Sequence, residues 1–263
     1  DEDSYLASVN VAHNLASLYF RAFDEQFVEE IRSYAINYFR KILSNLGWEP
    51  KKSDKHTDAL LRTFTIAVLG KMNDDTVTDE AIRKYKKFLK SPNSLSPDLI
   101  ETICSIAAWN GNSKTFGELK KLYTNSKTME QKLRFLGAMC GFQDKKLLVK
   151  TLDFSQTSEV RSQNMQLPIM KIAGNPYGDK VLWPWLKKNW KKINKKVGHG
   201  NPLFNRIVAS IAGVADDSME KEIKLFFKNN PTPGTERTQN QTLERIRINS
   251  KFLRTMRKEF KNG

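Results

Sequence analysis

The chain has 263 residues, 39% of them hydrophobic, and 44 Lys and Arg against 29 Asp and Glu give a formal net charge of +15. That length suffices to bury a large core. The longest apolar runs, residues 64–69 and 106–109, are too short to span a bilayer, and the acidic opening Asp1-Glu-Asp-Ser has no secretory n-region or h-region.

The first residue is Asp rather than Met, so the reading expects a piece of a longer chain. Cys104 and Cys140 are the two cysteines. Both fall in apolar helical settings, which predicts buried, reduced thiols and a cytoplasmic location.

In chain order, Phe27, Ile31, Tyr34, Tyr38, Ile42 and Leu46 step by three and four and predict one apolar helical stripe. Gly47 closes that helix as a C-cap residue, with Pro50 beyond. Leu60, Leu61, Phe64 and Val68 mark the next helix, closing at Gly70. Asp79-Glu-Ala-Ile begins another with an acidic first turn, running to Leu89. Ser96-Pro97-Asp98 opens the following one, with Ser as N-cap and Pro in its first position. Leu99, Ile103, Ile106 and Ala107 form its inner face. Further helices are expected over 116–123, 129–139, 144–151, 158–172 and 178–195, then over 202–214, 217–227 and 235–260. Asp217-Ser-Met-Glu220 has capping-box spacing.

Many short helices without period-two alternation predict an all-α fold. The preferred architecture is an irregular HEAT/armadillo-like α-solenoid, a superhelical bowl of paired antiparallel helices. No low-complexity linker divides the chain, which is read as a single domain over residues 1–263.

Catalytic chemistry finds little support. His13, His56 and His199 lie on separate segments without metal-ligand spacing. His13 reads as a packing or capping residue, His56 as part of a polar loop and His199 as a turn residue. Gly198-His-Gly200 lacks the strand and spacing of a phosphate loop. Neither cysteine has the exposed setting of a nucleophile. The pairs Glu29/Glu30 and Asp74/Asp75 read as exposed or capping charges. No metal site and no catalytic residue are therefore expected.

Two features point to binding. Arg161 and Gln163 open a helix, where a guanidinium can grip a carboxylate bidentately beside an amide; pairing of Arg161 with Glu159 is the plain alternative. The lysines of residues 187–196 adjoin Trp183, Trp185 and Trp190. That combination fits either nucleic-acid binding or a solvated face beside packing tryptophans.

Several phrases, in order, resemble one family. They are Leu46-Gly-Trp48 with Leu60-Leu-Arg62, Leu95-Ser-Pro-Asp-Leu99, Val160-Arg-Ser-Gln-Asn164, Asn175-Pro with the Trp183–Trp190 segment, and Leu243-Glu-Arg-Ile-Arg-Ile-Asn249. Together they are similar to the closing helical domain of zinc aminopeptidases of the aminopeptidase N and puromycin-sensitive aminopeptidase family, from about Ala7 to Phe260. The family's zinc-binding His-Glu-x-x-His is not in the chain. Asn164 stands where the family pattern has Asp, Ala215-Asp-Asp-Ser218 replaces a Phe-Ser-Thr turn, and Phe252 takes the place of a Trp.

The resemblance implies a noncatalytic C-terminal domain that encloses the substrate cavity of a zinc aminopeptidase and controls its opening and closing. Arg161 and Gln163, with Arg206 as a further candidate, are the residues it assigns to the distal part of a peptide. It also implies a catalytic domain and a peptide substrate as partners, and zinc in the parent enzyme but no cofactor in this chain; no membrane partner is expected, from the short apolar runs. The alternative from another class is a basic helical-repeat protein that binds nucleic acid, motivated by the charge and the lysine–tryptophan segment.

Overall fold

The computed structural model describes residues 2–197 and 201–262, with side chains over 9–197 and 201–261; His199 and its flanking glycines lie outside the described residues. Among the described residues the chain forms thirteen α-helices, linked by turns and short 3-10 segments, and no strand. They are α1 (Glu2–Arg21), α2 (Val28–Leu46), α3 (His56–Lys71), α4 (Asp75–Lys90), α5 (Ile100–Trp109), α6 (Ser113–Asn125) and α7 (Met129–Ala138). After these come α8 (Lys145–Ser155), α9 (Gln166–Ala173), α10 (Asp179–Val197), α11 (Leu203–Ser210), α12 (Glu220–Asn229) and α13 (Glu236–Asn262). The all-α expectation holds. The helices gather into two compact units, one reaching Tyr123 and including Lys127–Gly141, the other made of Thr124–Ser126 and the chain from Phe142 onward.

In the first unit α5 packs against α3, α4 and α7, and α2 packs against α1 and α3. The buried stripe of α2 is Ile31, Ala35, Phe39 and Leu43, preceded by buried Phe27. This corrects the expected stripe: Tyr34 is 66% exposed. Small Ala35 lets a neighbouring helix approach, and the bulky tyrosine turns out to solvent. Leu60 is likewise 57% exposed, while Leu61, Ile66, Val68 and Leu69 carry the core face of α3.

Gly47 ends α2 with φ +70°, its N–H bonded to the Leu43 carbonyl at 2.7 Å. A side chain there would be strained, because a Cβ crowds the backbone at positive φ. The carbonyls this end leaves open are met by Arg62 of α3. Its Nε donates to Gly47 O at 3.0 Å and its Nη2 to Leu46 O at 3.2 Å. The same Nη2 pairs with the Asp54 carboxylate, and the arginine side chain is only 2% exposed. Asp54 is in turn held by the Lys51 N–H at 2.7 Å. That backbone bond first, and Arg62 with it, lower its pKa below the ordinary aspartate value.

The α3–α4 joint is fixed in a similar way. Arg32 donates to Met72 O at 2.6 Å and Asn73 O at 3.2 Å, and Trp109 Nε1 holds the Asn73 side chain at 3.0 Å. Asn73 itself sits at φ +55°. Buried Asp74 accepts from Val77 N at 3.0 Å and from Arg40 Nε at 2.6 Å. The helix therefore starts at Asp75 under an Asp74 cap, one turn earlier than the acidic run at Asp79 indicated.

In the second unit α11 packs between α9 and α13, and α10 packs on α8 and α9. The helix expected over 158–172 is a 3-10 turn, Ser162–Asn164, followed by α9. Arg161 has an extended ψ of 143°, so no helix passes through it. Between α9 and α10, Asn175 accepts from Tyr177 N at 3.0 Å and donates to Phe142 O at 2.9 Å. Gly178 lies so close to the preceding turn that a Cβ there would sit 2.0 Å from Ile172 O. At the end of the chain Asp216, rather than Asp217, caps the turn before α12, accepting from Ser218 N at 2.8 Å. The Asp217 carboxylate pairs with Arg254 instead. Arg247 grips Glu220 with two bonds of 2.7 and 2.6 Å, and Lys224 adds a third at 2.6 Å.

Replacing Arg62 by Met should lower the stability of the chain by about 3–5 kcal/mol, since it strands a carboxylate and two helix-end carbonyls; chemical denaturation measures this. The α12–α13 lock should be acid-sensitive. Hydrogen bonds from Arg247, then Lys224, bring the Glu220 pKa down from 4.5 to about 2. Its contribution is complete above pH 4.5 and is lost as pH falls through about 2. Acid titration of Glu220→Gln beside the parent chain should therefore show a stability gap that closes over that window.

Candidate functional site

Helix α8 is capped by Asp144, which accepts from Lys146 N at 2.7 Å, and ends at Ser155. The chain then loops through residues 156–160 to the turn bearing Arg161. Val160 is buried and anchors the loop, and Gln156 donates to Met165 Sδ at 3.0 Å. Lys196, at the end of α10, donates to the carbonyls of Ser155 (3.1 Å), Thr157 (2.9 Å) and Val160 (3.3 Å).

Arg161 and Gln163 are both exposed on the turn that follows. The Arg161 side chain makes no hydrogen bond or ion pair among the described residues. The alternative pairing with Glu159 is not formed; Glu159 accepts from Thr124 Oγ1 at 3.4 Å. Arg206 stands on α11, exposed, on the side opposite buried Phe204, Ile207 and Val208. Its side chain too has no hydrogen bond or ion pair among the described residues. The structure thus places Arg161 and Gln163 on one turn, and Arg206 on a separate outward face of the helix against which α9 packs.

The tryptophans of α10 are packing anchors. Trp183 donates to Glu222 Oε1 at 3.2 Å and meets Phe226 edge-on, with 5.1 Å between centroids. Trp185 donates to Asp153 Oδ1 at 2.8 Å. Trp190 lies among Phe204, Phe226 and Phe227 at 5.3–5.7 Å. All three are at most 5% exposed, so none offers a face for a base to stack on. Lys187 pairs with Glu222 and covers the Trp183 ring at 5.6 Å. Its hydrogen bond is the main reason the Glu222 pKa lies below the ordinary glutamate value. Of the lysine run, Lys188, Lys191, Lys192 and Lys195 remain exposed.

The residues a metal would need do not converge. Among the described residues no three His, Cys, Asp or Glu side chains stand close enough to hold an ion. The His13 ring packs on Phe64 at 4.1 Å, and His56 opens α3 on the surface. Both cysteines are free and buried; burial pushes the Cys104 thiol pKa far above its ordinary value, and Cys140 Sγ donates to Leu136 O at 3.3 Å. The zinc implied by the resemblance therefore has no fitting set of ligands among the described residues. No described helix is long and apolar enough to cross a membrane.

Lys196 is the residue sequence reasoning passed over, because it sits in a charge run. A signal was present: it follows buried Ile193 by three and Trp190 by six, which puts it at the edge of the buried face of α10.

With an all-α domain, two exposed unpaired arginines and no converging metal ligands described, sequence comparison supplies the class. The chain belongs to the ERAP1-like C-terminal domain family, whose model matches residues 1–248. It is 29% identical over 264 residues to aminopeptidase M1-D of Oryza sativa subsp. japonica, a match covering 98% of this chain and 30% of that protein. It is 27% identical over 241 residues to aminopeptidase M1 of Arabidopsis thaliana, covering 90% and 27%. Against the mitochondrial aminopeptidase 2 of Saccharomyces cerevisiae the identity is 25% over 224 residues, covering 82% and 23%. The chain thus spans less than a third of the length of these curated relatives.

Proposed function

We propose that this chain is the noncatalytic C-terminal domain of a cytoplasmic, zinc-dependent aminopeptidase. In this reading it is a single closing domain, a superhelical bowl of paired helices that encloses the substrate cavity beside a catalytic domain and governs its opening. The supporting observation is the family match over nearly the whole chain, whose relatives bear the name aminopeptidase. The zinc and its chemistry belong to the parent enzyme's catalytic domain.

The domain's share of the mechanism is positional. A closed cavity excludes water and commits the bound substrate. Arg161 and Gln163 contact the distal end of the peptide, with Arg206 as a further contact. A guanidinium without an internal partner is free to form two parallel hydrogen bonds to a carboxylate, which Lys could not do in that geometry. The formal charge of +15 adds a long-range attraction for acidic peptides and peptide C-termini.

Arg161→Ala in the full-length enzyme should raise KM for long peptides about tenfold, the worth of a charge-assisted hydrogen bond, and leave dipeptide-like substrates unchanged. Steady-state kinetics on both substrate classes measures it, and an equal loss on the two refutes the contact. The chain by itself should take up no zinc on metal analysis after dialysis and should hydrolyse no aminoacyl substrate; stoichiometric zinc with turnover would overturn the noncatalytic assignment. Tight DNA binding that persists at near-physiological salt would favour the nucleic-acid alternative.

A further inference from the structure

The last carbonyls of an α-helix have no donors within the helix. At the end of α8 this need falls on Ser155 O, and the loop beyond adds Thr157 O and Val160 O. All three converge on the Nζ of one lysine, Lys196, at 3.1, 2.9 and 3.3 Å. An ammonium group carries three donors and no acceptor, so these three bonds use its whole capacity. A cation at a helix C-terminus is also where the backbone dipole favours positive charge. Lys196 is partly buried, and burial, followed by the nearby Lys192, lowers its pKa below the ordinary lysine value.

The consequence lies one residue further on. The Val160 carbonyl and the Arg161 N–H belong to one rigid peptide plane. A hydrogen bond on that carbonyl therefore sets the plane from which Arg161 leaves the loop. The Val160 side chain, 1% exposed, anchors the same residue in the core. Arg161 follows in extended conformation and its side chain projects to solvent.

We infer that Lys196 is a positioning residue, which clamps the loop of residues 155–160 to the end of α10 and so holds Arg161 and Gln163 in the direction that meets a peptide. The clamp stands on geometry alone; its role toward peptides rests on the function proposed above. Lys196 need not touch substrate. Its effect passes through the Val160–Arg161 peptide plane, so it should appear in the affinity for long peptides and not in the turnover of short ones.

The test uses the full-length protein with Lys196→Met, which keeps the aliphatic stem and removes the donors. Hydrogen–deuterium exchange at the amides of residues 157–164 should quicken about tenfold, the loss of charge-assisted bonds, while the interiors of α9 and α10 keep their protection. KM for long peptides should rise severalfold, with kcat and the kinetics of dipeptide-like substrates unchanged. Lys196→Arg should fall between, because a planar guanidinium keeps the charge but cannot serve three convergent carbonyls equally. If the Met variant does not fold, Lys196→Gln, with two amide donors, replaces it in the same measurements.

Unchanged exchange in the loop overturns the clamp, whatever the kinetics show. Faster exchange without a change in long-peptide KM, where Arg161→Ala does raise it, overturns the positioning role. Faster exchange when neither substitution moves KM refutes the peptide contact itself and leaves the clamp standing.

Discussion

Backbone carbonyls at helix ends are the constraint on which this structure depends. A chain of many short helices has many C-termini, and each leaves acceptors without partners inside the helix. Here side chains from distant helices supply the donors. Arg62 serves Leu46 and Gly47, Arg32 serves Met72 and Asn73, and Lys196 serves Ser155, Thr157 and Val160. Asn175 serves Phe142, and Asn249 of the last helix serves Ala212 at 3.2 Å. The bonds from Arg62 and Arg32 close a helix end and tie it to another helix at once, while those from Lys196 and Asn175 also fasten loop and turn carbonyls. Part of the cationic excess is therefore spent inside the fold.

The same constraint explains why the family is legible in a chain that has no described metal site. The quoted phrases are mostly joints. Leu46-Gly-Trp48 and Leu60-Leu-Arg62 are the two halves of one buried arginine cap. Asn175-Pro-Tyr-Gly178 is a turn in which Asn bonds twice and Gly permits backbone contact at the Ile172 carbonyl. Arg247 and Asn249 of the final phrase bind the last helix to Glu220 and Ala212. Residues in such joints answer to local backbone geometry, so few others fit, and their order along the chain outlines the architecture.

Surface and interior roles divided less predictably. The tryptophans of α10 are packed into phenylalanines, which removes the aromatic half of a nucleic-acid platform and leaves only its exposed lysines. Within that lysine run, Lys187 and Lys196 have internal partners while Lys188, Lys191, Lys192 and Lys195 face water. Residue type is the same throughout; position relative to the buried face decides. Arg161 and Arg206 lie at the other extreme, their side chains exposed and unpaired, Arg161 even with Glu159 two residues away in sequence.

By itself, the sequence determined the all-α class, most helix positions and the Gly47 stop, because apolar spacing and Gly or Pro punctuation act within a few residues. Tertiary structure alone decided which stripe of α2 is buried, where α4 and α9 begin, which aspartate caps α12, and that Lys196 turns inward. The cap of α4 and the inward turn of Lys196, for instance, depend on partners 34 and 41 residues away, Arg40 for Asp74 and Ser155 for Lys196. Helical periodicity reports which faces are apolar, but not which neighbouring helix, carbonyl or carboxylate will meet them.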